Sequence, residues 1–312
     1  GSNNLFVASG VVVGSSDLYA VGVGGVDNGL DIHGSVHGEL GGLSLLHSTD
    51  TNINIWEGGS IGSGNEDSFG IAVNNSSAKI KNFGAIHGET AIDLLLNIDC
   101  EIVNRGEIRG DAFAIDVDAT AVGAISLNNV GTISTSLVSS AAYRSAGNVE
   151  DAILNQGKIN GVIDLGPGDD RYMGYAAKAM DEGYHAFAMG TKVSAIVSGG
   201  DGRDILDGGR YVDLFLGGDD SDMLMGQAGS DQLVGGSGAD RLRGGTGGDL
   251  FIYAAPADSY HAHRDLIGDF SRSQGDHIEL GPIDADVTRA GDQEFKFIGR
   301  SGFKGAGELR FE

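Results

Sequence analysis

The sequence predicts an all-β chain in which a parallel β-helix runs into a parallel β-roll, and three observations carry that reading. A nine-residue unit is written six times in succession between Gly199 and Ile252. A longer unit, anchored on a glycine, a small or polar residue and a β-branched residue, recurs through residues 1–165. Composition agrees, because 54 glycines against 3 prolines, with aromatics at 7%, suit thin repetitive cores better than one large globule.

The short units read GGDGRDILD, GGRYVDLFL, GGDDSDMLM, GQAGSDQLV, GGSGADRLR and GGTGGDLFI. Position six is always aspartate (Asp204, Asp213, Asp222, Asp231, Asp240, Asp249), and position eight is always large and apolar (Leu206, Phe215, Leu224, Leu233, Leu242, Phe251). Glycines let each turn visit positive φ, and the position-eight side chain points to one face of a very short strand. One such strand cannot bury its face alone, so units must stack, two per turn of a roll. Stacking sets aspartates of repeats two apart beside a ring of turn carbonyls. An all-oxygen environment suits a hard cation, and Ca²⁺ accepts crowded, flexible geometry better than Mg²⁺. A flexible glycine-rich linker would need neither the strict aspartate nor the strict apolar position.

These units resemble the RTX nonapeptide GGxGxDxUx, which implies several bound Ca²⁺ ions. Asp204 is expected to share an ion with the turn at Gly217, Asp213 with the turn at Gly226, Asp222 with Asp240, and Asp231 with Asp249. Carbonyls at the first four positions of the turns complete the shells in that family. Here those positions are Gly199, Gly200, Asp201 and Gly202; Gly217, Gly218, Asp219 and Asp220; Gly226, Gln227, Ala228 and Gly229; Gly235, Gly236, Ser237 and Gly238; Gly244, Gly245, Thr246 and Gly247. Tyr211 stands at the fourth position of GGRYVD and is expected to weaken the site using that turn, since a bulky residue resists left-handed backbone. Asp220 tolerates that conformation better, and Gln227 at a second position is a milder departure.

The longer unit has its anchors at Gly34-Ser35-Val36, Gly59-Ser60-Ile61, Gly84-Ala85-Ile86, Gly106-Glu107-Ile108, Gly131-Thr132-Ile133 and Gly157-Lys158-Ile159. Their spacing, roughly 22 to 26 residues, is that of solenoid coils. Asn82, Asn104, Asn129 and Asn155 precede four anchors, and asparagine tolerates left-handed backbone and caps its own turn. Short alternating runs flank each anchor, such as residues 78–81 and 92–94. Three short strands per coil, without helical periodicity or hairpin dipeptides, make a parallel β-helix. The pattern resembles the right-handed β-helix of secreted passenger proteins and polysaccharide-processing enzymes, a likeness of architecture that says little about function.

Outward positions on these coils align His37 with His87, and Glu39 with Glu89 and Asp111, with Arg109 between them, while Asp93, Asp116 and Asp164 recur after the anchors. A catalytic groove of Asp93, Asp116, Arg109 and His87 acting on an acidic glycan as a lyase or epimerase is one reading; a solvated charge ladder is the other, and the repeat itself generates such ladders. Secreted mannuronan epimerases, which join a β-helix to RTX rolls, are similar in layout, but their Asp-Pro-His-Glu signature is missing because the first proline is Pro167. His37-Gly38-Glu39 and His87-Gly88-Glu89 lack the order and spacing of a zinc-protease HExxH, and no Walker loop occurs. Cys100, alone of its kind, excludes an internal disulfide and is expected to be buried in a strand. Trp56 is a candidate sugar platform or a stacked core ring.

Residues 166–198 are expected to join the two repeats. Gly166-Pro167-Gly168-Asp169-Asp170 fits the nonapeptide from its second position and offers Asp170 as an early half-site; an insertion follows, with a short helix expected at residues 176–182. After the roll at residues 199–253, residues 254–312 carry Asp265-Leu266-Ile267-Gly268-Asp269-Phe270, Gly275-Asp276-His277-Ile278-Glu279-Leu280 and Phe295-Lys296-Phe297-Ile298-Gly299. These resemble the C-terminal domain of serralysin-type metalloproteases. Asp265, Asp269 and Asp276 are candidates for a further ion, and His261 with His263 is a two-ligand zinc pair lacking a third donor. The opening Gly1-Ser2 reads as a cloning remnant, and the family's usual last strands and terminal secretion signal do not follow Glu312, so either the sequence is cut short or this member ends differently.

The formal net charge of −24 argues against nucleic acid and anionic membrane as partners and makes the metal-free roll self-repelling. No apolar run is long enough to span a membrane. Taken with the family resemblance, the expectation is a secreted bacterial protein exported by type I secretion. Its roll folds on extracellular Ca²⁺ and presents the β-helix in a structural, adhesive or polysaccharide-binding role.

Overall fold

The computed structural model describes residues 4–16, 18–63, 65, 68–136, 139–174, 193–260, 262–286, 288–291, 293–298, 301–302, 304–305 and 308–309. The expected helix at residues 176–182 and the His261 half of the histidine pair lie outside them. Every described element is a strand or turn, and all strand pairings between named elements are parallel. The strands stack as a β-solenoid of about 11 turns.

Three sheets of stacked strands form the walls of the β-helix. The first carries inward Leu30, Ile53, Ile80, Ile102, Leu127 and Ile153, one per coil in direct register. The second carries Val36, Ile61, Ile86, Ile108, Ile133 and Ile159, the β-branched residues of the anchors. The third carries Leu43, Ile71, Ile92, Ile115, Tyr143 and Ile163. All of these side chains are buried. Successive side chains point to opposite faces, so the neighbours of each inward residue point out, and mostly aliphatic side chains meet coil on coil in a narrow core.

Among the described residues the second sheet ends at the strand Lys158–Asn160, and the other two continue into the roll. The first proceeds through Tyr172, Leu206, Leu224 and Leu242, the third through Val197, Phe215, Leu233 and Phe251. The six position-eight residues therefore alternate between two sheets, and two repeats make one turn. Strands Leu266–Ile267 and His277–Glu279 add a further turn after the nonapeptides, pairing with residues 241–242 and 250–252.

The anchor glycines are required by close approach. A Cβ on Gly84, Gly106, Gly131 or Gly157 would strike the carbonyl oxygen of the anchor glycine one coil earlier. The asparagines before them do something other than the sequence predicts. None of Asn82, Asn104, Asn129 and Asn155 has positive φ; all four are fully buried strand residues. The side-chain amide of each donates to the Oδ1 of the next, from Asn82 to Asn104, Asn104 to Asn129 and Asn129 to Asn155, each at 2.9 Å. The capping expectation holds alongside, since Gly84 and Gly157 donate their N–H groups to Asn82 and Asn155 Oδ1 at 3.1 and 3.2 Å. Equal spacing between coils matches the reach of an amide, which is how asparagine ladders stabilise parallel in-register stacks.

Removing one rung leaves a donor and an acceptor buried without partners. Asn104→Ala is expected to lower unfolding stability by about 1–3 kcal/mol in saturating calcium. Gln156→Ala, at an exposed neighbouring position, is expected to change it by no more than ~0.5 kcal/mol. Denaturant midpoints of the two variants provide the check.

Candidate metal centres

The position-six aspartates form two columns inside the roll. Along one, the N–H groups of Asp170, Asp204 and Asp222 donate to Oδ1 of Asp204, Asp222 and Asp240, each at 2.9 Å, and Asp240 donates to Asp265 at 3.1 Å. Along the other, Asp213, Asp231 and Asp249 donate to Asp231, Asp249 and Asp276 at 2.8, 2.9 and 3.1 Å. Every one of these carboxylates except Asp265 is a buried group. One oxygen of each thus satisfies the backbone of the adjacent turn.

The other oxygen is the informative one. Oδ2 of Asp170, Asp204, Asp222, Asp231, Asp240 and Asp249 is buried without a hydrogen-bond partner. A buried polar atom left so is rare and calls for an explanation. A Cβ placed on Gly199 would touch Asp204 Oδ2 and the carbonyl of Gly217; Gly217 stands likewise to Asp222 and Gly235, and Gly226 to Asp231 and Gly244. The first glycine of each of these repeats is therefore the wall of a small oxygen-lined space shared with the repeat two later. That donor set, a carboxylate and backbone carbonyls with no nitrogen or sulfur, fits a hard cation. Among the described residues no three His, Cys, Asp or Glu side chains cluster as a metal site, so the carbonyls are essential to any ligand shell here.

The turns that frame these spaces share a backbone form. The second and fourth positions both have positive φ at Gly200 and Gly202, Gly218 and Asp220, Gln227 and Gly229, Gly236 and Gly238, and Gly245 and Gly247. Asp220, at 77°, and Gln227, at 74°, adopt it despite their side chains. The turn with Tyr211 does not, for neither Gly209 nor Tyr211 has positive φ. There Gly209 N–H donates to Asp213 Oδ2 at 3.0 Å, supplying the partner that the other aspartates lack. Position-three residues stack along an outer edge, where Ser237 Oγ donates to Asp219 at 2.8 Å, and Asp201 pairs in register with Asp219. In the last turn Asp269 accepts the N–H groups of Gly244 and Gly245 at 3.0 and 2.9 Å.

A family model for the peptidase M10 serralysin C-terminal domain, which carries RTX-type repeats, matches residues 122–311. The chain belongs to that family. The serralysin C-terminal family is a calcium-binding one, and the match covers the roll, the added turn and the last coils of the β-helix. Comparison with curated proteins gives no significant match.

The four residues considered for catalysis fall on two sheets. Asp93 and Asp116 are register neighbours on the third sheet, and Arg144, the next neighbour, holds Asp116 through two bonds of 2.7 and 2.8 Å while lying 3.9 Å over the Phe113 ring. Burial, with Asp116 adding to it, pushes Asp93 up to about 7. His87 and Arg109 pair on the second sheet, and His87 packs against His37 at 5.3 Å, its basicity lowered by burial and by that neighbour. Trp56 is exposed rather than in the core, stacked between His33 and Phe83 at 5.6 Å from each, so other rings cover both its faces. Cys100 is buried, as expected. Its thiol is pushed up to about 12 by desolvation.

Desolvation also raises the roll aspartates: Asp170, Asp222 and Asp231 to about 8 and Asp204 to about 6, from an ordinary 3.8. In the metal-free state the folded roll thus binds more protons than the unfolded chain between about 4 and 8. Stability is then fully present below the ordinary carboxylate range and is lost as pH rises through the raised values. In chelator, the melting temperature is expected to be higher near pH 5 than near pH 8. In excess calcium the order should reverse, because an ion must displace those protons. Thermal melts at the two pH values, with and without chelator, test both signs.

Proposed function

We propose that this chain is a secreted calcium-binding protein whose roll folds on extracellular Ca²⁺ and presents the β-helix to its surroundings. The observation that carries the reading is the repeated unpartnered Oδ2 facing the first-position glycine and a turn carbonyl. Asp204, Asp222, Asp231, Asp240 and Asp249 would hold the ions with carbonyls of their own and later turns, and Asp213 contributes least. Bound Ca²⁺ supplies charge neutralisation, which a chain of net charge −24 requires before its carboxylates can stack.

RTX serralysin-type domains are typical of type I secreted extracellular proteins. Extracellular calcium modules bind at roughly 10⁻⁴–10⁻³ M, so such sites stay empty at cytosolic calcium and fill outside the cell. A chain kept unfolded until export and folded by metal binding follows from the same charge repulsion. For the β-helix we infer a structural or adhesive role toward extracellular polysaccharide. A groove of about 600 Å³ along its first sheet, lined among others by Asn52, Lys79, Glu101, Ser126 and Arg171, supports that reading. Its length across successive coils suits an extended chain.

Calcium titration of chelator-treated protein, followed by β-sheet circular dichroism, tests the roll. A cooperative gain of signal is expected; a spectrum and melting temperature indifferent to calcium would rule the reading out. Asp231→Asn is expected to raise the calcium midpoint by roughly tenfold, equivalent to ~1.4 kcal/mol. Asp213→Asn, whose carboxylate already has the Gly209 N–H, is expected to shift it far less. Retention of the folded chain on immobilised glycans, with and without calcium, tests the adhesive role.

A further inference from the structure

The inward row that becomes the aspartate column begins inside the β-helix. On the first sheet, Ala78, Cys100, Ile125 and Asp151 are successive register partners, and Asp170 follows through the Ala152–Arg171 pair. Three small or aliphatic residues thus give way to a carboxylate one coil before the nonapeptide pattern starts. The segment around it, SAGNVED, has no GGxGxD frame.

Its geometry nevertheless continues that of the roll. Asp151 N–H donates to Asp170 Oδ1 at 2.8 Å, the same bond that Asp170 and Asp204 make to their successors. Two columns of carbonyls extend with it. A Cβ on Gly200 would strike the carbonyl of Gly166, and one on Gly166 that of Ser145; Gly202 stands so to Gly168, and Gly168 to Val149. Ser145 and Val149 therefore present carbonyls where the roll presents its second and fourth turn positions.

Three buried oxygens in these two segments have no hydrogen-bond partner: Asp151 Oδ2, Asp170 Oδ2 and Ser145 Oγ, on residues each 2% exposed. Asp151 Oδ1 is already served by the Tyr143 hydroxyl at 2.8 Å. The Ser145 hydroxyl lies near Asp151, yet it makes no hydrogen bond of good geometry. A proton on Asp151 would serve one of these oxygens, whereas a hard cation accepts several oxygen ligands at once.

We propose that a further divalent-cation site, of all-oxygen Ca²⁺ type, lies between residues 145–151 and 166–170, with Asp151, Asp170 and Ser145 as its side-chain ligands. The proposal rests on the calcium reading of the roll and extends it into the β-helix. The last β-helix coil then orders together with the first turn of the roll.

Equilibrium dialysis of the full chain in saturating calcium, with metal analysis, provides the test. Asp151→Asn is expected to bind one ion fewer than the wild type, with the roll's ions retained; an unchanged count overturns the proposal. A wild type that binds no calcium would instead overturn the reading of the roll itself. Should Asp151→Asn fail to regain β-sheet signal, Tyr143→Phe decides, because it keeps every proposed ligand. With Tb³⁺ in place of Ca²⁺, it is expected to lose part of the tyrosine-sensitised emission at an unchanged ion count, since Tyr143 touches Asp151. Undiminished emission overturns the site.

Discussion

Each turn of the roll gives a peptide N–H to a carboxylate of the next turn, and that carboxylate keeps its second oxygen for something other than protein. Bonds of 2.8 to 3.1 Å fix the first oxygen at every step. They also fix the register, because an aspartate can satisfy the turn before it only when the two turns lie directly over one another. A buried ionised oxygen without a donor is costly, and the cost repeats at every step. The stacking that gives the roll its regularity is thus the same stacking that leaves one carboxylate oxygen without a protein partner at most steps. Left-handed positions such as Gly200 and Gly202 belong to this constraint, because they hold the turn backbone where its carbonyls border the same oxygen-lined spaces.

The change from three walls to two is absorbed by aromatic bulk. Where the second sheet stops after Lys158–Asn160, inward positions that held leucine, isoleucine or valine take Tyr143 and Tyr172, both fully buried. Tyr172 meets the Phe215 ring edge-on at 6.1 Å and so links the last coil to the roll. Their hydroxyls would be stranded in an aliphatic core. Tyr143 instead donates to Asp151, and Tyr172 lies 3.4 Å from the end of the asparagine ladder at Asn155. Buried tyrosine is tolerated where a polar row passes within reach, and both polar rows of the first sheet pass here.

What the sequence made legible follows from how strictly each feature repeats. The position-six and position-eight residues recur at a period of nine without a slip, so their placement in two inward columns could be deduced before any coordinates. Tyr211 was legible for the same reason: a bulky side chain in a glycine frame signals a different turn, and the turn does differ. The anchor asparagines were recognised but assigned the wrong backbone, because asparagine serves equally as a left-handed corner and as a ladder rung. Only contact between coils separates those roles, and contact is not a local property. Asp151 was missed outright. Its signal was an aspartate in the inward phase of an alternating strand, between Val149 and Ile153, and a charge in that phase reads as noise until the rows on either side are known.

Coupling in such a stack runs between neighbours, so the strength of each step matters more than the total. The step at Asp213 is peculiar in having its second oxygen bonded to Gly209 N–H, and it therefore holds together without an ion. Its companions on the same column, Asp231 and Asp249, have no such partner. On the opposite column no step from Asp170 to Asp240 has one either. The two sides of the roll thus differ in how many carboxylate oxygens the protein itself satisfies. The first-sheet side leaves one oxygen unpartnered at each step from Asp170 to Asp240, and the third-sheet side begins with a turn that the protein closes by itself. That self-closed turn lies at the end of the roll nearest the β-helix, where an already ordered stack can support it. The steps whose second oxygen has no protein partner follow beyond it, each resting on a neighbour in register.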